Sequence, residues 1–158
     1  MGYPVDMNVV IDTNILVSAI MSRENACRKI LRYAFSGDMV PIVGTTLFLE
    51  YEDLLSRDDI FSRRCPLDRA QRLEFLDDVL SVAQWVDIHC LWRPNLRDEG
   101  DNHVLELAVA GQARYVISQN IKDFKFSEIH LPEIEVIHPF DFFDVLEVDK
   151  KGIGQWQH

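Results

Sequence analysis

The chain has 158 residues, of which 47% are hydrophobic, and it carries a formal net charge of −10. This length fits one compact domain, and the hydrophobic content excludes a disordered chain. No apolar run approaches the roughly 18 residues that a membrane-spanning helix requires. We therefore expect a globular protein that does not associate with membranes.

The negative charge argues against a protein whose only task is to hold nucleic acid, because phosphate binding requires lysine and arginine. It suits a protein that gathers carboxylates around divalent cations, or one that is covered by a basic partner. The basic residues cluster in two regions that we expect to be solvated helix surface, namely Arg23, Arg28, Lys29 and Arg32, and then Arg57, Arg63, Arg64, Arg69 and Arg72.

The cysteines Cys27, Cys65 and Cys90 lie far apart and have no CxxC spacing. An odd number of separated cysteines argues against a disulfide framework and against a zinc site. The apolar stretch 9–21 lacks a basic leader and a small-residue cleavage site, so it does not resemble a signal peptide. Both features predict free thiols and a cytoplasmic protein.

Short apolar runs alternate with segments of helical periodicity along the chain. Residues 9–11 form an apolar run that ends in Asp12, which is typical of a buried strand. Pro41 favours an edge strand or a strand start, and Gly111 favours a helix end. The predicted elements in chain order are strand 9–11, helix 25–35, strand 40–43, a helix from Thr45 or Thr46 through Leu55, helix 68–82, strand 85–88, a helix ending at Gly111, strand 115–118, strand 134–137 and a helix through Leu146.

This alternation predicts an α/β fold, a three-layer α/β/α sandwich with a mostly parallel central sheet. Residues 1–148 are predicted to form a single domain and residues 149–158 a flexible C-terminal tail. In an open parallel sheet, ligands bind beyond the carboxyl ends of the strands. Polar residues that follow the strands are therefore the candidates for a functional site.

Acidic residues occur at the positions that can meet at this edge of the sheet. Asp12 follows the first strand, and Glu50 lies in the second turn of the helix after the second strand. Asp98 and Asp101 open the helix that precedes the fourth strand. Carboxylates that converge raise one another's pKa unless a cation lies among them, and Mg²⁺ or Mn²⁺ prefers oxygen ligands. Such an ion can activate water for attack on a phosphodiester.

Each of these residues also has a purely structural interpretation. Asp12 could begin a turn, and Asp98 or Asp101 could cap a helix. Glu50 could be a solvated helix position, and His103 is expected at the surface or in a cap. The order of the acids along the chain, rather than any one of them, indicates a site.

Four segments resemble, in order, the motifs of the PIN-domain family. They are VIDTNILVS at 10–18, LEYEDLL at 49–55, RDEGDNHVLELA at 97–108 and YVISQNIKDF at 115–124. The resemblance extends from about Asn8 to Leu146 and is greatest to the VapC-like toxins of toxin–antitoxin systems. It implies a PIN-like α/β/α fold and a ribonuclease that depends on Mg²⁺ or Mn²⁺.

The resemblance also implies roles for the acids. Asp12 would be a central catalytic metal ligand, and Glu50 would bind the metal directly or through water. Asp101 would be the third catalytic acid and metal ligand. Asp98 lies close enough in sequence to assist or replace Asp101 as a ligand.

The remaining residues of the implied site are mostly uncharged. Thr13 and Asn14 would orient Asp12 or contact the scissile phosphate, and Ser118 would match the family's small hydroxyl residue near that acid. Asn120 departs from the family pattern, because many relatives carry aspartate there and asparagine brings no charge. Asp123 lies one helical turn further on and could serve as the fourth catalytic acid, so one-metal and two-metal mechanisms both stay open.

The leading hypothesis is an endoribonuclease that leaves 5′-phosphate and 3′-hydroxyl ends. The resemblance further implies an antitoxin protein that fills the acidic pocket with a basic side chain, and a homodimer. One alternative is a catalytically weakened PIN-like module that binds RNA or protein. A phosphotransfer enzyme with Asp12 as a covalent nucleophile is disfavoured, because no second aspartate follows two residues later and only Lys122 could supply the required lysine.

Overall fold

The computed structural model describes residues 7–22, 24–61, 64–87, 102–124 and 134–156. Within them, the strands are β1 (Asn8–Ile11), β2 (Val40–Val43), β3 (Gln84–Trp85), β4 (Tyr115–Ile117) and β5 (Glu135–Ile137). The helices are α1 (Thr13–Met21), α2 (Ala26–Phe35), α3 (Thr45–Leu55), α4 (Arg69–Ser81), α5 (Asn102–Ala110) and α6 (Pro139–Trp156), together with a 3-10 turn at Ile121–Phe124.

The strands form one sheet in the order β3-β2-β1-β4-β5, and every neighbouring pair is parallel. Val9, Val10 and Ile11 of the central strand are all buried, although successive side chains point to opposite faces. Both faces of the sheet must therefore be covered by helices. The predicted parallel sheet is confirmed.

Two helical layers cover the sheet. Helix α1 packs on α2 and α3, α3 packs on α4, and α6 packs on α2, whereas α5 packs on β1, β2 and β4. Right-handed crossovers place α1 to α4 on one face, because β1, β2 and β3 follow one another in one direction across the sheet. The step from β3 to β4 runs the opposite way and places α5 on the other face. The predicted α/β/α sandwich is confirmed.

The chain adds β2 and β3 on one side of β1 and then β4 and β5 on the other side, so the order of strands reverses between β1 and β4. At such a switch point the loops after two adjacent strands lead to opposite faces, which leaves a crevice at the carboxyl edge of the sheet. Asp12 follows β1 and Ser118 follows β4, so these two residues flank the crevice.

Pro41 lies in an interior strand, not at an edge. The N–H of Val40 donates to the carbonyl of Met7 beside β1, so the nitrogen of the next residue faces the β3 side. Strand β3 pairs only with Ile42 and Val43. Pro41 therefore lies at the start of β2, where its missing N–H costs no ladder bond.

The structure adds helical segments that were not predicted from the sequence. Helix α1 follows β1 after a single residue, Asp12, which is its N-cap. The segment predicted to be a flexible tail from Asp149 is helical as far as Trp156. Helix α6 thus extends beyond residue 148; no proline interrupts this segment, although Gly152 and Gly154 are poor helix formers.

Arg72 is buried, contrary to the expectation of a solvated helix surface. Its guanidinium donates to the carbonyls of Leu55 at 2.9 Å and Leu67 at 3.3 Å, and to Asp58 at 2.5 Å. It also lies 4.4 Å from the ring centroid of Phe61. These contacts hold the segment between α3 and α4 in place.

Other expectations concern membranes and thiols. Within the described residues, no helix combines the length and the apolar character needed to cross a bilayer. Cys27 and Cys65 are free thiols, as predicted, and Cys90 lies outside the described residues. Burial raises the pKa of the Cys27 thiol, which disfavours its reactive thiolate.

Candidate active site

Asp12 is buried at the carboxyl end of β1, where it caps α1. Its Oδ1 accepts a hydrogen bond from the backbone N–H of Thr13 at 2.8 Å. Its Oδ2 accepts from the hydroxyl of Ser118 at 2.7 Å and from Nδ2 of Asn14 at 3.3 Å. Both oxygens are held in position, and each retains lone-pair capacity for a further ligand. The structural role of this acid as a cap thus coexists with a candidate functional one.

Ser118 links the loop after β4 to this carboxylate. Its Oγ accepts from the backbone N–H of Asn120 at 3.0 Å and from Nδ2 of Asn14 at 3.4 Å. The backbone N–H of Gln119 donates to Oδ1 of Asn14 at 3.3 Å. Residues separated by more than a hundred positions thereby share one hydrogen-bond network across the switch point of the sheet.

Tyr51 attaches α3 to the same edge of the sheet. Its side chain is buried, and its hydroxyl donates a hydrogen bond to the carbonyl of Ile11, the residue before Asp12. Burial raises the pKa of the Tyr51 phenol well above its ordinary value, and the negative charges of Asp12 and Glu50 raise it further. Both carboxylates therefore act electrostatically on this hydroxyl, and α3 brings Glu50 to the end of β1.

His103 is the partner of Glu50. Its Nε2 lies 2.9 Å from Oε1 of Glu50, and its side chain is 15% exposed against 43% for the glutamate. Its Nδ1 is buried and has no hydrogen-bond partner among the described residues. The expectation of a surface or capping histidine was wrong, because the first turn of α5 lies beside α3. The sequence signal for this contact was the place of His103 in the third PIN-like segment, two residues after Asp101.

Part of the predicted site lies outside the described residues. Asp98 and Asp101 belong to this part, and so does the side chain of Asp123, whose backbone lies in the 3-10 turn. Among the described residues, no three histidine, cysteine or acidic side chains form a group that could hold a metal ion. The described portion of the site contributes two carboxylates, those of Asp12 and Glu50.

The uncharged candidate residues differ in how they contact Asp12 and its hydrogen-bond network. Asn14 and Ser118 contact Asp12 through their side chains. Thr13 contacts it through its backbone N–H. Asn120 is exposed and reaches the network through its backbone N–H, so the described hydrogen bonds do not include its amide group.

Residues 8–122 match the family model of the PIN domain. This chain belongs to the PIN-domain family. The match contains the first three motif segments and most of the fourth, so the resemblance inferred from them is confirmed.

Among solved structures, this PIN domain is similar to a chain in the crystal structure of VapBC2 from Rickettsia felis bound to a DNA fragment from their promoter. The match covers 84% of this chain and 98% of that chain, with a TM-score of 0.54 and 19% sequence identity. A likeness at this identity establishes a shared fold. Among curated proteins, none matches this PIN domain.

The two described acids of the predicted site in this PIN domain, Asp12 and Glu50, offer carboxylate oxygens. Within the described residues, the hydrogen bonds that Asp12 accepts come from neutral groups. Glu50 lies at the same edge and shares one oxygen with His103. Carboxylate oxygens of this kind are the ligands that hard divalent cations prefer.

Proposed function

We propose that this PIN domain is a divalent-metal-dependent endoribonuclease and the toxin of a toxin–antitoxin pair inside the cell. One observation supports this most strongly. Asp12 is buried at the end of β1 with both carboxylate oxygens held by neutral donors, and the Tyr51 hydroxyl attaches α3, which carries Glu50, to the carbonyl of Ile11, the residue before Asp12. A buried carboxylate whose described hydrogen bonds come from neutral groups is costly unless a cation joins it.

The residues present fit such an ion. Asp12 and Glu50 offer carboxylate oxygens, which Mg²⁺ and Mn²⁺ prefer, and Glu50 has an oxygen that is not engaged by His103. We propose that Asp101 or Asp98 supplies a third ligand and that Asp123 supplies a fourth acid. A bound divalent cation would neutralise the carboxylates, activate water and stabilise the developing charge on the phosphodiester.

The surrounding side chains would fix the geometry of this chemistry. Ser118 and Asn14 hold Oδ2 of Asp12 while the N–H of Thr13 holds Oδ1, so the carboxylate cannot rotate freely. His103 restrains Glu50 in the same way. Preorganised ligands lose little freedom when substrate arrives, which is how positioning lowers a reaction barrier. We propose that the Thr13 hydroxyl and the amide of Asn120 contact the scissile phosphate.

The decisive assay is Mn²⁺-dependent cleavage of a structured RNA and of a single-stranded RNA. Asp12→Asn and Glu50→Gln change only the charge of a proposed ligand, and each should lower the rate at least about 100-fold, since even outer-shell partners are worth 10–100-fold. Glu52→Gln is the matched control, because Glu52 is exposed on the same helix. Equal cleavage by wild type and Asp12→Asn would mean that the activity belongs to a contaminant or to another site.

The toxin role requires an antitoxin partner. We propose a small protein that inserts a basic side chain, preferably arginine, between Asp12 and Glu50. This proposal is supported by a solved structure of similar fold, which is that of VapBC2 bound to a DNA fragment from their promoter. Co-expression with the product of an adjacent reading frame should give a stable complex that cleaves no RNA. We also propose a homodimer, which sedimentation velocity would reveal.

Asn120 favours a second candidate, a catalytically weakened module that binds RNA or protein. An asparagine at this position removes a charge that many relatives carry, and its amide lies outside the described hydrogen-bond network. Calorimetric titration with Mn²⁺ separates the two candidates. The nuclease should bind Mn²⁺ and lose affinity in Asp12→Asn, whereas the weakened module should show little binding in either protein.

A further inference from the structure

The imidazole of His103 has one hydrogen-bond partner among the described residues, and that partner is a proposed metal ligand. Its Nε2 lies 2.9 Å from Oε1 of Glu50, whereas its Nδ1 is buried and has no partner in the described part of the chain. A partly exposed ion pair contributes little to folding, and a buried ring nitrogen without a partner costs stability. The position of His103 is therefore better explained by its effect on Glu50 than by a gain in stability.

The direction of this hydrogen bond follows from the chemistry of the two groups. An ionised carboxylate has no hydrogen to donate, so Nε2 of His103 is the donor and Oε1 of Glu50 is the acceptor. Among the described hydrogen bonds, none reaches Oε2 of Glu50. The two oxygens of this carboxylate therefore differ, because Oε1 is engaged by His103 and Oε2 is open to a further ligand.

The fold holds this donor in front of Oε1. Glu50 lies in the second turn of α3 and His103 in the first turn of α5, and the two helices pack on each other. Tyr51, the residue after Glu50, is buried and donates to the carbonyl of Ile11, which fixes α3 against the end of β1. The imidazole itself is mostly buried, so its ring cannot turn away freely.

We propose that His103 sets the metal selectivity of the site, because it leaves Glu50 a single oxygen with which to bind a cation. This inference rests on the proposed function, in which Glu50 is a metal ligand. Calcium takes about six to eight oxygens in flexible geometry and accepts both oxygens of one carboxylate, whereas the smaller Mg²⁺ requires a nearly ideal octahedron. Mn²⁺ likewise takes octahedral oxygen ligands. Engaging Oε1 therefore disfavours Ca²⁺ and leaves Mg²⁺ and Mn²⁺ the one oxygen that they need.

The test is calorimetric titration of Mn²⁺ and of Ca²⁺ into wild type and two variants of His103. The side-chain amide of glutamine can place a donor where Nε2 of histidine lies, whereas asparagine is one methylene shorter and cannot reach Glu50. His103→Asn should weaken Mn²⁺ binding by about tenfold, since Glu50 loses its restraint, and should not weaken Ca²⁺ binding. The preference for Mn²⁺ should thus fall by about tenfold or more. His103→Gln should keep most of the wild-type preference.

A double-mutant cycle shows whether the effect of His103 passes through Glu50. In a Glu50→Gln background, His103→Asn should leave the ratio of Mn²⁺ to Ca²⁺ affinity unchanged, because no carboxylate remains to be restrained. In a Glu52→Gln background, which changes an exposed acid of the same helix, His103→Asn should have its full effect. A changed ratio in the Glu50→Gln background would assign the selectivity to another part of the site and overturn the proposal.

The outcomes separate this proposal from the nuclease proposal. If wild type prefers Mn²⁺ and His103→Asn weakens both ions equally, His103 only supports the structure of the site, so the selectivity proposal is wrong and the nuclease proposal stands. The same conclusion follows if wild type binds the two ions equally tightly and cleaves RNA. If wild type binds neither ion and cleaves no RNA, both proposals are wrong.

A crystal structure of wild type soaked in Mn²⁺ tests the proposal without depending on the folding of a variant. The ion should contact Oε2 of Glu50 while Nε2 of His103 stays at Oε1. An ion bound to both oxygens of Glu50, or to the imidazole of His103, would overturn the proposal.

Discussion

Tyr51→Phe removes a single hydroxyl from the end of β1, and its cost can be worked out from the structure. Tyr51 is 2% exposed, so water cannot replace the hydroxyl as the partner of the Ile11 carbonyl. Phenylalanine fills nearly the same volume, so the loss reduces to one buried hydrogen bond and one unpaired carbonyl. That combination costs about 1–3 kcal/mol of unfolding free energy, a substantial part of the roughly 5–15 kcal/mol typical of a domain.

The same substitution should change how stability depends on pH. In the folded chain the pKa of Tyr51 lies well above its ordinary value, whereas the unfolded chain releases this proton at about pH 10. Below pH 10 both states keep the proton and the stabilisation is fully present. As pH rises further, only the unfolded state releases it, so wild-type stability must fall. Tyr51→Phe should lack this part of the fall.

Urea unfolding followed by circular dichroism tests both effects, at about pH 8 and about pH 11. Tyr33, whose hydrogen bond to Glu147 raises its pKa to about 12, is present in both proteins and cancels in the comparison. Tyr115→Phe is the matched control, since the described contacts of Tyr115 involve its ring, and it should change stability by less than about 0.5 kcal/mol. If Tyr51→Phe were as stable as wild type at pH 8, or lost as much stability by pH 11, the hydroxyl would not anchor α3 to β1.

Three further predictions concern the site and the segment between α3 and α4. Ser118→Ala removes a 2.7 Å hydrogen bond to Asp12 and should weaken Mn²⁺ binding about 10–100-fold by calorimetry; unchanged affinity would contradict a role in holding the ligand. His103→Ala frees Glu50 and should lower Mn²⁺ affinity by about tenfold, whereas His103→Gln should recover part of it. Arg72→Met leaves the carbonyls of Leu55 and Leu67 without this donor and should cost about 1–3 kcal/mol in urea unfolding; the control Arg57→Met removes an exposed ion pair and should cost less than about 1 kcal/mol.

Most strands were predictable because each is a local pattern. The apolar runs at 9–11, 40–43 and 115–118 differ from the observed β1, β2 and β4 by at most one residue at each end. Helix α1 was missed because the polar residues between the two apolar runs, Asp12, Thr13 and Asn14, were interpreted as site residues and not as a helix start. Asp12 is the N-cap of α1, so a start signal was present in the sequence.

The candidate site was predictable in its residue types and only partly in its contacts. Asp12, Asn14 and Ser118 were identified from ordered motifs, and the structure joins them by hydrogen bonds. His103 and Tyr51 were not predicted to contact the site, because a histidine at a helix start and a tyrosine on an apolar face usually have structural roles.

The amino-acid sequence by itself determined the α/β class, the order of the elements and the PIN-domain family, because these depend on residues close together along the chain. Only the tertiary structure decided which side chains meet. Glu50 pairs with a histidine 53 positions away, and Asp12 accepts from a serine 106 positions away. Such contacts arise from the crossovers that bring β1, β4, α3 and α5 to one edge of the sheet, and no local pattern encodes them.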